Sequence, residues 1–171
     1  PGISICFDQI YTNSWTKGDS DLFSGQMLIL NFCINGRCDA SLAQNRYAIV
    51  KENQICVSTF LPTKDFYYPG RVYEGIQLYI DRDYVKEAVG TDFLSELGVN
   101  TEQIAEVFCG KDCLYLHRMN ASLLELVREV WEMKEEPEFG MLRYFTVRLL
   151  HELMKMPGES ESMNCFTRSQ I

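Results

Sequence analysis

The first half of the chain is a succession of short segments in which polar and apolar residues alternate, spaced as hairpins are spaced, and it contains no histidine. Alternation with a period of two sends successive side chains to opposite faces of a strand, so the pattern calls for half-buried antiparallel sheet. Seven strands are expected: Ile3 to Tyr11, Met27 to Ile34, Arg37 to Leu42, Tyr47 to Val50, Gln54 to Phe60, Phe66 to Tyr68 and Tyr73 to Ile80. The apolar run up to Ile34, the dipeptide Asn35-Gly36 and the alternation from Arg37 predict a hairpin, because Asn-Gly favours the two-residue type I′ turn. A small β-barrel without a metal site is the economical way to bury such strands.

Beyond about Asp81 the period changes. Asp83 to Val89, Asp92 to Leu97 and Thr101 to Phe108 read as short helices, and Ala121 to Lys134 and Glu138 to Met156 as longer ones joined by a turn at Glu136-Pro137. The chain is therefore α+β: an antiparallel β-barrel over 1–80, a helical region over 81–156 that ends in two long antiparallel helices, and a polar linker over 157–171. In the last helix Leu142, Phe145, Leu149, Leu153 and Met156 recur at steps of three and four. Met141, Tyr144, Val147, Leu150 and Met154 widen that stripe beyond one contact face. Such a helix needs two neighbours. One is the preceding helix, through Leu124, Val127, Val130 and Trp131; the other is either the barrel or a second copy of the chain. We expect the five-residue stripe to be a homodimer seam, with a wholly intrachain hairpin as the alternative.

With 24 acidic against 16 basic residues the net charge is −8, which repels phosphate backbones, so any DNA contact would need another segment. No apolar stretch approaches the roughly 20 residues that span a bilayer, and no signal sequence opens the chain; no membrane partner and a cytoplasmic location are expected. The start at Pro1 and the polar tail read as those of a fragment, with an ordinary frayed terminus as the equal alternative.

Catalytic apparatus is hard to find. Iron, manganese or zinc in a barrel needs imidazoles and a carboxylate at fixed spacing. Here His117 and His151 fall in the helical half, and the segment from His151 to Lys155 lacks the second histidine of a zincin helix. Seven cysteines include two spaced pairs. Cys33 and Cys38 straddle the expected turn as cross-strand neighbours, and Cys109 and Cys113 bound a short loop that could be redox-sensitive or clip a metal. Reduced, buried thiols behave as small hydrophobes, which is the reading we adopt for the first pair. Asn120-Ala121-Ser122 has the form of a glycosylation site but sits where a helix N-cap belongs. No nucleophile elbow, Walker loop or dinucleotide fingerprint is present, so no enzyme, metal or cofactor is expected.

The strands do supply what a small organic ligand needs, aromatic surface with a few polar groups: Trp15, Arg37, Asp39, Phe60, Phe66, Tyr73, Gln77 and Tyr79 are the candidate binding residues. Alternation groups Arg37, Asp39 and Ser41 against Cys38, Ala40 and Leu42. It also groups Tyr73, Gln77 and Tyr79 against Ile76, Leu78 and Ile80. If the polar groups face inward, Arg37 clamps an acid or a hydroxyl; if outward, Arg37 and Asp39 form a surface ion pair.

Certain runs also resemble a known family. Gly36-Arg37-Cys38-Asp39, Tyr68-Pro69, the strand from Tyr73 to Asp81, the helix from Arg143 to Leu153 and Phe166-Thr167-Arg168-Ser169-Gln170, in that order, are similar to the amino-terminal half of bacterial AraC-type transcription regulators. Asp39 stands where a glutamate is expected and Tyr68 where a phenylalanine is. The resemblance implies a cupin-like effector barrel, dimerising helices, and a linker to a carboxy-terminal pair of helix-turn-helix motifs outside this chain. The small molecule would set the geometry of DNA-binding units carried by the absent part. Two alternatives remain: a small metal-independent cupin enzyme of isomerase type working through Asp39 or Tyr73, and a thiol or metal sensor using Cys109 and Cys113.

Overall fold

A computed structural model describes residues 2–16, 26–41, 46–59, 65–87, 93–110, 114–158 and 165–167. In chain order the elements are β1 (Ile3–Ile10), β2 (Ser14–Thr16), β3 (Met27–Ser41), β4 (Arg46–Lys51), β5 (Gln54–Ser58), β6 (Asp65–Tyr67) and β7 (Tyr73–Asp81), then α1 (Arg82–Glu87), α2 (Phe93–Glu96), α3 (Thr101–Cys109), β8 (Leu114–Arg118), α4 (Ala121–Glu132), α5 (Phe139–Met154) and β9 (Cys165–Thr167).

The predicted hairpin at Asn35-Gly36 does not form. β3 runs through it as one strand of 15 residues. Its partner β7 continues to pair on both sides, Cys33 with Gly75, Asn35 with Glu74 and Gly36 with Tyr73, and the register shift between Cys33 and Asn35 is a bulge. Gly36 has φ +86°, and a Cβ there would lie 2.1 Å from the Val72 carbonyl oxygen, so only glycine fits this corner. The real turn is at Glu52 and Asn53. β4 pairs with the second half of β3, from Arg37 with Lys51 to Ser41 with Tyr47, and β5 pairs with the first half, from Phe32 with Ile55 to Ile29 with Ser58. Asn53, at φ 63°, donates its N–H to the Cys33 carbonyl at 2.9 Å. Both strands of the ribbon therefore bend at the same point.

This bend makes two sheets that share β3. The first has the order β1-β7-β3-β5-β8, and the second β9-β4-β3-β6-β2, all antiparallel. The assembly is an open pair of sheets and not the closed barrel expected from the sequence. β8 is a strand inside the part expected to be helical, and it carries His117; β2 and β9 are likewise unforeseen.

Two cores follow from the alternation. On one face of the first sheet Leu28, Leu30 and Phe32 of β3, Ile55 and Val57 of β5, and Ile76, Leu78 and Ile80 of β7 are wholly excluded from solvent against α3, α4 and α5. Each such side chain contributes on the order of 1.5–3 kcal/mol. Between the sheets a smaller core gathers Cys33, Cys38, Ala40, Val50, Cys56, Tyr68, Tyr73 and Leu116. Asn120 caps α4, accepting the Leu123 N–H at 2.8 Å, so the cap reading of that residue holds. Arg82, the first residue of α1, bonds Glu102 of α3 at 2.6 Å and Gln26 at 2.9 Å.

The stripe expected to form a dimer seam is part of this chain's own core. Phe145, Leu149, Leu153 and Met156 are buried, and Leu142 is half-buried against the same cluster. The wide apolar arc of α5 is satisfied by α4 on one side and by the larger core on the other.

Candidate functional site

The side chains that point between the sheets from β1, β3 and β7 are unlike those on the helix side. Register sets Cys6, Gln77 and Asn31 side by side, with Asp8 opposite Gly75 and Tyr79 opposite Ile29. β1 is the outer strand here, and Cys6 and Ser4 are exposed while Asp8, Asn31, Gln77 and Tyr79 are half-buried. Gly75 keeps the floor low: a Cβ there would meet the Phe32 carbonyl at 2.6 Å and the Tyr73 hydroxyl at 3.2 Å. The phenol of Tyr73 crosses that gap and donates to Asn31 Oδ1 at 2.5 Å.

Asp8 is the centre of the arrangement. Tyr79 donates its hydroxyl to Gln77 Oε1, and Gln77 in turn hydrogen-bonds the Asp8 carboxylate. The other carboxylate oxygen, Oδ2, is buried with no hydrogen-bond partner among the described residues. Burial lifts the Asp8 carboxyl to about 6, against a smaller downward pull from the Gln77 bond. Burial also pushes up the phenols of Tyr68, Tyr73 and Tyr79, and the Asp8 charge adds to each. The Tyr68 and Tyr73 rings lie 5.6 Å apart.

Of the residues predicted to bind ligand, Phe66, Tyr73, Gln77 and Tyr79 point between the sheets. Trp15 pairs with Phe66 in register, its ring 5.4 Å away, and is half exposed at the rim. Arg37 and Asp39 do not join them. Their neighbours Cys38 and Ala40 point inward, so the pair lies on the outer face of the second sheet, where Arg37 Nε and Nη2 bond Asp39 at 2.6 and 2.7 Å. Asp39 is only 5 % exposed, so this is a buried carboxylate neutralised by a half-covered guanidinium, and not a solvated surface pair. Phe60 lies outside the described residues.

Sequence reasoning missed Asp8 and Asn31. The signal was present: Asp8 is an acid in the alternation of β1, and Asn31 an amide in an otherwise apolar run.

Cys33 and Cys38 lie on one strand, not on two, and share the inner core with Cys56. Burial raises the Cys33 thiol to about 12 and the Cys38 thiol as well, so both stay protonated. Cys109 is buried at the end of α3, and Cys113 lies outside the described residues. His117 projects to the helix side of the first sheet, stacked on Tyr115 with ring centroids 5.8 Å apart. His151 Nε2 lies 2.9 Å from the Leu97 carbonyl. Among the described residues no three His, Cys, Asp or Glu side chains are grouped so as to hold a metal ion. None of the described helices is long and apolar enough to cross a membrane.

No protein-family model and no curated protein matches the sequence. Solved structures match the fold. An apo variant of ToxT from Vibrio cholerae superposes with a TM-score of 0.56 at 7% identity, covering 95% of this chain and 61% of that one. A second Vibrio cholerae ToxT structure gives 0.49 at 9% identity, over 95% and 60% of the two chains. Oxalate decarboxylase of Bacillus subtilis gives 0.32 at 11% identity, over 75% and 36%. The likeness to the first is one of fold, and the chain spans about six tenths of the length of the ToxT chain it matches.

Proposed function

We propose that the chain is the effector-binding and dimerisation part of an AraC-type transcription regulator of the cytoplasm, which takes a small organic molecule between its two sheets. The observation that carries this reading is the set of polar side chains, Asp8, Asn31, Gln77 and Tyr79, gathered on an inner sheet face that could have been apolar. The sequence resemblance to AraC-type regulators and the fold likeness to ToxT both support it. ToxT itself has been solved with an unsaturated fatty acid and with a methylnaphthalenyl butenoic acid.

The mechanism is a population shift: an effector that binds one spacing of the sheets better than another biases that spacing. β9, from the tail that follows α5, pairs with β4 through Arg46 to Thr167, Tyr47 to Phe166 and Ala48 to Cys165. A change in the second sheet is thereby passed to the segment that would lead to a DNA-binding unit outside this chain. For the dimer we assign the solvent side of α5, where Phe139, Met141, Tyr144 and Met154 are exposed, in place of the buried stripe. On this reading Tyr144→Glu yields a monomer that still binds the effector.

Native mass spectrometry of the purified protein, gentle and then denaturing, tests the whole reading. A dimer that releases an organic mass is expected. A monomer with no retained molecule and no response to any effector class would sink it. One observation favours a second reading, an acid–base enzyme: a lone carboxyl at about 6 suits proton transfer near neutrality. Turnover of a retained molecule, abolished by Asp8→Asn, would decide for it.

A further inference from the structure

We infer that the ligand taken between the sheets presents a protonated amine, which Asp8 receives beside Gln77 and Tyr79. This rests on reading the interior as an effector site. The hydrogen-bond relay has a direction. Gln77 uses its carbonyl to accept from Tyr79, so its amide nitrogen is what faces Asp8. An ionised carboxylate only accepts, and Oδ2 is buried with no partner among the described residues. The group that completes the site must therefore donate.

Charge narrows the class further. Among the described side chains no cation acts on Asp8: Arg37 is bound to Asp39 on the outer face, Lys51 stands opposite Arg37, Arg82 is tied to Glu102 and Gln26, and Arg118 is exposed at the end of β8. His117 is on the helix side. An acid placed here would meet uncompensated repulsion, and a neutral alcohol would fill the hydrogen bond but leave the charge unpaired. An ammonium supplies both the donor and the charge. Tyr79, half-buried on the same face and close enough to feel the Asp8 charge, adds an aromatic neighbour suited to a cation. An unpaired carboxylate in a half-buried position does nothing for folding, which is what a binding group retained for its ligand looks like.

Phenethylamine, phenethyl alcohol and phenylpropanoate share a skeleton and differ in the end group, so they serve as probes in calorimetric titration of the full chain and of Asp8→Asn. The amine should bind at least about tenfold more tightly than either of the others, and Asp8→Asn should erase that preference. Lowering the pH from about 7.5 to about 5 should weaken the amine roughly tenfold as Asp8 takes up a proton, since the other groups facing it, Cys6, Gln77, Tyr68, Tyr73 and Tyr79, do not titrate in that interval. Tighter binding of the alcohol or the acid, or an amine affinity untouched by Asp8→Asn, overturns the inference while leaving the effector reading in place. If none of the three binds at millimolar concentration, the amine inference also falls, and the effector reading then stands or falls on the mass retained in native spectrometry.

Discussion

Along β7, Ile76, Leu78 and Ile80 point at the helices and are fully excluded from solvent, whereas Gln77 and Tyr79, each one residue away, point between the sheets and keep part of their surface wet. The same division runs through β1, where Ile3, Ile5 and Phe7 lie against the helical core and Cys6 and Asp8 face inward. One sheet thus carries a face whose residues are chosen by volume and a face whose residues are chosen by donor, acceptor and charge. Mutations in the first should be read out as stability, and mutations in the second as binding.

The contrast can be broken most forcefully at Leu78→Ala. Its fully buried position predicts a loss of about 3–4 kcal/mol in urea unfolding, while Gln77→Ala next to it should cost under about 1 kcal/mol. Equal losses at the two positions would abolish the distinction. Arg37→Met comes next. It strands the buried Asp39 carboxylate and should cost about 2 kcal/mol without altering effector affinity, because the pair is on the outer face. A loss of affinity at unchanged stability would instead move Arg37 into the site.

Asp8→Asn should act in the opposite sense. A carboxyl raised to about 6 in the folded protein, from an ordinary value near 4 when unfolded, leaves the folded state holding more protons between those values, so stability falls as pH rises through that window. Discounted for partial exposure, removing the charge should stabilise the protein by about 1–2 kcal/mol at neutral pH and by nothing below about pH 4. Melting curves at the two pH values measure it, and a destabilised Asp8→Asn at neutral pH contradicts the assignment. The smallest effect is expected from Tyr73→Phe. It deletes the 2.5 Å bond to Asn31 and should cost about 1 kcal/mol, leaving the aromatic wall in place.

Most of the strands and helices were legible because their periods are clean; the corner was not. Asn35-Gly36 carries the local chemistry of a hairpin turn, but a strand already paired along β7 uses the same glycine to bend and continue. β8 hid for a related reason: Leu114 to Arg118 is too short to display a period and lies among helices, and only its pairing with β5 makes it a strand. The wide apolar arc of α5 predicted two partners correctly and named the wrong one, because periodicity gives the extent of an apolar face and not what covers it. At the site, alternation grouped Tyr73, Gln77 and Tyr79 on one face. That this face looks between the sheets, and that Asp8 joins it from β1, required the register of Ile3 to Ile80.

That register carries a kinetic consequence. The turn at Glu52 and Asn53 lets β4 and β5 lie down on β3 through short loops, while pairing β1 with β7 closes loops of about sixty to eighty residues. β1 is therefore added to the first sheet after β4 and β5 have settled on β3, and, held by β7 alone, it opens in amide exchange before β7 does. It is also the strand that brings Asp8. A molecule that engages Asp8 together with the side chains of β7 ties this edge strand to the more buried strand beside it, and its arrival should be visible as slowed exchange from Ile3 to Ile10.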